Sequence, residues 1–189
     1  MSVSMVKFPM AVLHSFPAKR CWTVAGFLIH DHKILMVKHK KLGLWLAPGG
    51  HVETDELPHV AAEREVREET GLQVKAISAV PNPETDVSEN LPHPFLTNLH
   101  WVSRENYEGR TQGASRSDKT QRDWGKGCEQ HLCFMYLVAP QGSLDFFQNE
   151  EETDGIGWFS LEEIAELETA LDVKAEVRRA FELKESLNV

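Results

Sequence analysis

No stretch of this 189-residue chain stays apolar for the roughly 20 residues that a membrane-spanning helix needs, so a transmembrane protein is not expected. Cysteine is scarce: Cys21, Cys128 and Cys133 are odd in number and form no C-x-x-C pair. That pattern reads as a reduced, cytoplasmic chain rather than a disulfide framework or a redox motif. Zinc held by Cys128, His131 and Cys133 lacks an evident fourth ligand, and Cys133 lies in an apolar run, so an ordinary strand is the simpler reading. Positive charge is also short, with 20 Lys and Arg against 29 Asp and Glu for a net charge of -9. This disfavours nucleic acid as a partner, because affinity for a polyanion comes largely from phosphate neutralisation by Lys and Arg. A small phosphorylated ligand stays compatible, since a bound divalent cation reverses the local sign. No acid precedes Asp31, yet Arg20 is the only arginine before it and Pro9 and Pro17 interrupt the stretch, so a targeting leader is not the reading. Internal repeats are absent.

What is present suits one globular domain. The 41% hydrophobic and 26% charged residues are ordinary proportions, and the length allows a substantial core without disulfides or structural metal. Residues 1–20 read as a loosely attached arm or edge strand. Strands are predicted over Cys21 to His30, Ile34 to His39, Leu44 to Leu46, Leu72 to Val80, Leu96 to Ser103, His131 to Ala139 and Ile156 to Phe159. Asp31-His32-Lys33 is a polar hairpin turn, and Pro81 to Pro94, with its prolines and acids, a surface loop. Residues 104–127 show no periodic apolar face and read as a long mobile insertion. Ser160-Leu-Glu-Glu163 is a capping box opening a helix to about Leu167, and Leu171 to Leu187 has apolar residues at helical spacing.

The informative stretch is Gly50 to Leu72. Its second half is a helix that Thr54 or Asp55 can cap, that tolerates Pro58 in its first turn, and that stops at Gly71. In the last turn Glu65, Glu68 and Glu69 stand at i, i+3 and i+4 and share one exposed helix face. Like charges at that spacing repel, and anions at a helix C-terminus oppose the macrodipole. Three carboxylates so placed need a cation. Arg64 and Arg67 could supply it structurally, but that does not account for the glycine-rich turn Pro48-Gly49-Gly50 ahead of the helix. Hard oxygen ligands beside an accessible backbone suit magnesium or manganese.

The same stretch resembles the Nudix box, G-x5-E-x7-R-E-U-x-E-E-x-G-U with U aliphatic, and matches it at Gly50, Glu56, Arg64, Glu65, Val66, Glu68, Glu69, Gly71 and Leu72. The resemblance implies an α/β fold, a Nudix-type α/β/α sandwich with a mixed β-sheet, spanning 1–189 as one domain. It also implies a Mg2+- or Mn2+-dependent hydrolase of phosphoanhydride bonds in nucleoside di- or triphosphates or nucleoside diphosphate derivatives. Carried onto matching positions, Glu65 and Glu69 would be metal ligands, Glu68 a ligand or the group that takes a proton from water, and the Gly50 carbonyl a further ligand. Arg64 would aim a carboxylate, and Glu56 would orient turn and helix. Family members often recruit an acid from a loop ahead of a strand bearing Trp or Trp-Phe; Glu152, ahead of Trp158-Phe159, is that candidate.

Substrate contacts lie outside the box. Trp45, Phe95, Trp101, Trp124 and Phe147 are candidate stacking surfaces, and Arg110, Arg116, Lys119, Arg122 and Lys126 candidate phosphate contacts. The Pro-Gly-Gly-His-Val-Glu turn looks like small hydrolases of nucleoside di- and triphosphates. Two further readings are a non-catalytic nucleotide sensor, which the intact box disfavours, and mRNA decapping, which the net charge disfavours. Dimers are frequent in the family, so the resemblance admits a homodimer.

Overall fold

The computed structural model describes residues 18–111, with side chains to 110, and residues 127–187. In chain order the elements are β1 (Arg20–His30), β2 (Lys33–His39), β3 (Trp45–Leu46), β4 (Gly49–His51), α1 (Pro58–Thr70), β5 (Val74–Ile77), β6 (Leu96–Trp101), α2 (Arg104–Thr111), β7 (Gln130–Pro140), β8 (Thr153–Phe159), α3 (Leu161–Glu166) and α4 (Leu171–Leu187). Eight strands form one sheet in the order β3-β2-β1-β7-β5, with β4 paired to β1, β6 to β7 and β8 to β2. By compactness the chain divides into a larger unit, Thr23–Thr97 with Phe134–Val189, and a smaller one, Met1–Trp22 with Asn98–Cys133.

In the larger unit, alternation along the strands builds the core. Val24 and Leu28 of β1, Leu35 of β2 and Tyr136 and Val138 of β7 form one cluster with Ala61, Ala62 and Val66 of α1. Their alternates Phe27, Ile29, Ile34, Met36, Met135 and Leu137 are also buried, so both faces of these strands are covered, as an α/β architecture requires. Gly26 is obligatory where β1 passes under α1, because any Cβ there would overlap Val66. The β1–β2 turn places Asp31 and His32 at φ 45° and 58°, the paired left-handed residues of a two-residue hairpin. The C-terminal helices bury Ile164, Val177, Ala180 and Phe181, and the Ser160 capping box forms as expected.

Several expectations need correction. α1 is not capped by Thr54 or Asp55: Leu57 is its N-cap with no side-chain bond, and Pro58, which has no N–H to satisfy, begins the helix. Gly49 to His51 is a strand rather than only a turn, running antiparallel to Thr23, Val24 and Ala25.

In the smaller unit, part of the expected insertion is helical. Ser103 Oγ accepts the Asn106 N–H at 3.1 Å, and Arg104 pairs with Glu108 one turn on, so α2 forms without an apolar stripe. Residues 112–126 lie outside the described residues, as do 1–17 of the expected arm. Its end is fixed: the Lys19 N–H donates to Glu129 Oε2 at 2.8 Å, and the Lys19 carbonyl accepts from the N–H of Glu129 at 2.9 Å. The expectation of unpaired thiols also fails, for Cys21 and Cys128 form a disulfide with Cα atoms 5.8 Å apart. Only the fold brings together two cysteines separated by 107 residues, and Cys133 is buried and outside the disulfide. Arg110, a candidate phosphate contact, is buried instead against Glu129, whose carboxylate accepts from its Nε and Nη2 at 2.8 Å each.

Candidate active site

The site lies within the larger unit, where β4 meets the last two turns of α1. Glycine makes that meeting possible. A Cβ on Gly49 would overlap the Val24 carbonyl, and one on Gly50 would fall on the Glu65 carboxylate. The turn and the helix are thus in direct contact through atoms that only glycine leaves room for. The helix ends cleanly at Gly71, at φ 76° with its N–H on the Arg67 carbonyl.

The carboxylates are not on an exposed face, contrary to expectation. Glu65 and Glu69 are 9% and 4% exposed, whereas Glu68 keeps about half its side chain in solvent. Sequence spacing gave the shared face but not the covering by β4. Arg64 is the centre of the cluster and uses all five of its N–H donors. Nε and Nη2 grip both oxygens of Glu56 at 2.9 and 3.0 Å, and Nη2 also reaches the His51 carbonyl at 2.9 Å. Nη1 donates to Glu65 Oε1 at 2.8 Å and Glu68 Oε2 at 3.0 Å. Glu56 also accepts the Glu53 N–H at 3.1 Å, so Arg64 ties the start of the turn to two of the helix carboxylates.

One guanidinium does not neutralise four carboxylates. Hydrogen bonding to Arg64 holds the Glu56 carboxyl below its ordinary range. Burial pushes Glu65 up against the opposing pull of Arg64. Among the described residues Glu69 has no such counter-charge; it accepts the Gly49 N–H at 3.1 Å, and burial, with the charges of Glu65, Glu152 and Glu68, pushes its pKa up to about 8. Two buried acids on a glycine cradle, one of them with no cationic partner among the described residues, fit a divalent metal held by oxygen ligands. Glu152 lies on the loop ahead of β8, and its charge adds to the upward push on both Glu65 and Glu69.

Two of the stacking candidates pack on other rings. The Trp45 ring meets Phe159 edge-on at 4.8 Å, and Phe95 meets Phe27 edge-on at 5.0 Å. Arg116 lies outside the described residues. Sequence reasoning missed Asn149, which contacts the end of α1; an Asn ahead of three acids was the available signal, as an Asx-turn residue.

Two substitutions separate the glycine roles. Gly49→Ala forces backbone against backbone in the β1–β4 ladder and should lower the melting temperature more than Gly50→Ala. Gly50→Ala need only displace the Glu65 side chain, at about 1–3 kcal/mol, yet should cost the more activity. Thermal melts and turnover on both variants check this, and the reverse order in either measurement contradicts it. Arg64→Lys, with three donors in place of five, should destabilise by about 1–3 kcal/mol. A melting temperature unchanged from wild type would show that the fork is not needed.

These elements, a sheet covered on both faces and a glycine-cradled acidic helix end, are those of an α/β protein with an oxygen-rich site for a metal. A NUDIX domain profile matches residues 19–181. A NUDIX-family hydrolase structure from Clostridium perfringens superposes with a TM-score of 0.63 at 24% identity, covering 87% of this chain and 97% of that one, a likeness of fold. The CTP pyrophosphohydrolase of Escherichia coli K12 is 35% identical over 121 residues, 62% of this chain and 82% of that protein. A MutT-like protein of Streptomyces ambofaciens is 41% identical over 54 residues, 28% of this chain and 35% of that protein, so the match spans about a third of that relative. The chain belongs to the Nudix hydrolase family.

Proposed function

We propose that this protein is a magnesium-dependent pyrophosphohydrolase that cleaves a phosphoanhydride bond in a nucleoside di- or triphosphate or a nucleoside diphosphate derivative. The observation that carries the reading is the pair of buried carboxylates, Glu65 and Glu69, set on Gly49-Gly50 with Arg64 reaching only the first. Glu65 and Glu69, with the Gly50 carbonyl, would hold Mg2+ or Mn2+. A divalent cation there masks phosphate charge and makes water more acidic.

The chain's own residues do the rest. Arg64 fixes Glu65 in one orientation, as positioning partners of ligands do. Glu68 is engaged by Arg64, which makes it the poorer proton acceptor. Glu152, exposed and electrostatically coupled to the buried pair, takes the proton from the attacking water. The water oxygen forms a bond to phosphorus, the anhydride P–O bond breaks, and the leaving phosphate departs with the bonding electrons. The E. coli relative's name, CTP pyrophosphohydrolase, makes CTP the first substrate to try.

A cytoplasmic location belongs to this reading as well, though the Cys21–Cys128 pair removes the cysteine argument for it. The test of function is release of phosphate, pyrophosphate and nucleotide from nucleoside di- and triphosphates, nucleotide sugars, ADP-ribose, dinucleoside polyphosphates and capped RNA with Mg2+ or Mn2+. Turnover of one class by wild type and not by Glu69→Gln is expected. Absence of turnover throughout, with nucleotides raising the melting temperature of both proteins, would replace the hydrolase with a nucleotide sensor.

A further inference from the structure

The final carbonyls of a helix have no partner inside it. At the end of α1 three of them are taken by a single loop. The Phe147 N–H donates to the Thr70 carbonyl at 3.0 Å, and the Asn149 N–H to the Glu69 carbonyl at 3.3 Å. Asn149 Nδ2 donates to the Glu68 carbonyl at 3.4 Å. Phe147 also lays its ring over Gly71, where a Cβ would overlap it.

Asn149 then turns the chain back on itself. Its Oδ1 accepts the Glu151 N–H at 3.1 Å, and its carbonyl accepts the Thr153 N–H at 2.9 Å, the Thr153 hydroxyl at 2.8 Å and the Glu152 N–H at 3.3 Å. From the other side Lys40 donates its N–H to the Glu152 carbonyl and Nζ to the Glu150 carbonyl, both at 2.9 Å. Electrostatics alone would not hold this loop here. Glu150, Glu151 and Glu152 approach a helix C-terminus that already carries Glu65, Glu68 and Glu69, and both the macrodipole and like-charge repulsion push them away. Directed hydrogen bonds oppose that push, and Asn149 spans from the helix to the acidic run twice, through its backbone and through its side-chain amide.

We propose that Asn149 is a positioning residue: its amide, bonded to the Glu68 carbonyl and the Glu151 N–H, fixes the loop that carries Glu152 at the end of α1 that bears the box carboxylates. This rests on the reading of Glu152 as proton acceptor. A residue that only capped α1 would contribute stability and nothing specific to Glu152.

The test is a double-mutant cycle of Asn149→Ala and Glu152→Gln, read as kcat and KM with CTP and magnesium, or with the substrate the panel selects, together with amide hydrogen exchange over residues 147–153. Asn149→Ala should lower kcat about 10- to 100-fold with KM changed by less than about 2-fold, and should add no further loss in the Glu152→Gln background. Exchange at residues 150–153 should quicken. Asn149→Asp, which keeps the acceptor to Glu151 and loses the donor to the helix, should fall between Ala and wild type and serves if Ala does not fold. Equal losses in both backgrounds would make Asn149 a structural cap and overturn the proposal, as would unchanged exchange at 150–153. Wild-type kcat in Glu152→Gln would instead sink the proton-acceptor reading on which the proposal rests.

Discussion

Glu69→Gln is expected to lose at least about 100-fold of turnover at saturating magnesium and yet, without a divalent cation, to melt above wild type at pH 8 and higher. The two effects share a cause. Glu69 is 4% exposed, and burial raises its pKa from 4.5 to about 8. A carboxyl whose pKa is higher in the folded than in the unfolded chain binds protons preferentially when folded. The folded state is therefore favoured at low pH, and that advantage is lost as pH rises from about 4.5 to about 8, by an amount on the order of a few kcal/mol. Glutamine keeps an acceptor for the Gly49 N–H but has no charge to desolvate, so the variant lacks this pH dependence. Magnesium should raise the melting temperature of wild type and leave the variant nearly unmoved, because only binding to the folded state stabilises it. Melting curves from pH 5 to pH 9, with and without Mg2+, check the argument. A difference between the proteins that does not change with pH, or turnover equal to wild type, would refute it.

How far the site could be read in the sequence follows from what kind of contact made it. Helix spacing put Glu65, Glu68 and Glu69 on one face, and the cap at Gly71 fixed the helix end, because both are local properties of α1. The strands of the core were legible for the same reason: Val24, Leu28, Leu35 and Val138 alternate with residues of the other face. Burial of Glu65 and Glu69 was not legible, since it depends on β4 lying across the helix, and β4 is two glycines and a histidine with no strand propensity of its own. α2 was missed because its anchors are polar: Arg110 docks on Glu129, so the helix needs no apolar stripe. The Asn149 clasp joins residues 81 positions apart, and nothing in the local pattern marks its partner.

Reduction of the Cys21–Cys128 disulfide should lower the melting temperature of wild type by about 10 °C, with Cys21→Ser showing the same loss and no response to a dithiol. The two residues are 107 apart, and cross-linking a loop near 100 residues removes unfolded-chain entropy worth about 4–5 kcal/mol in the ideal case and commonly less in practice. For a chain of this size each kcal/mol is worth about 2–4 °C. Folded-state contacts near the bond survive its loss, because Glu129 still holds Lys19 and Arg110 and Asn106 Nδ2 still donates to the Cys128 carbonyl. The variant should therefore fold at low temperature and fail early on heating. Cys133→Ser should retain the full response to reductant, since Cys133 takes no part in the disulfide. Thiol counting under denaturing conditions fixes the state directly: one reactive thiol before reduction and three after. Three before reduction, with no change in melting temperature, would remove the bond from the working protein. The size of the loss also bears on where the protein works, for a chain that stays folded after reduction tolerates a reducing compartment, and one that does not requires an oxidising one.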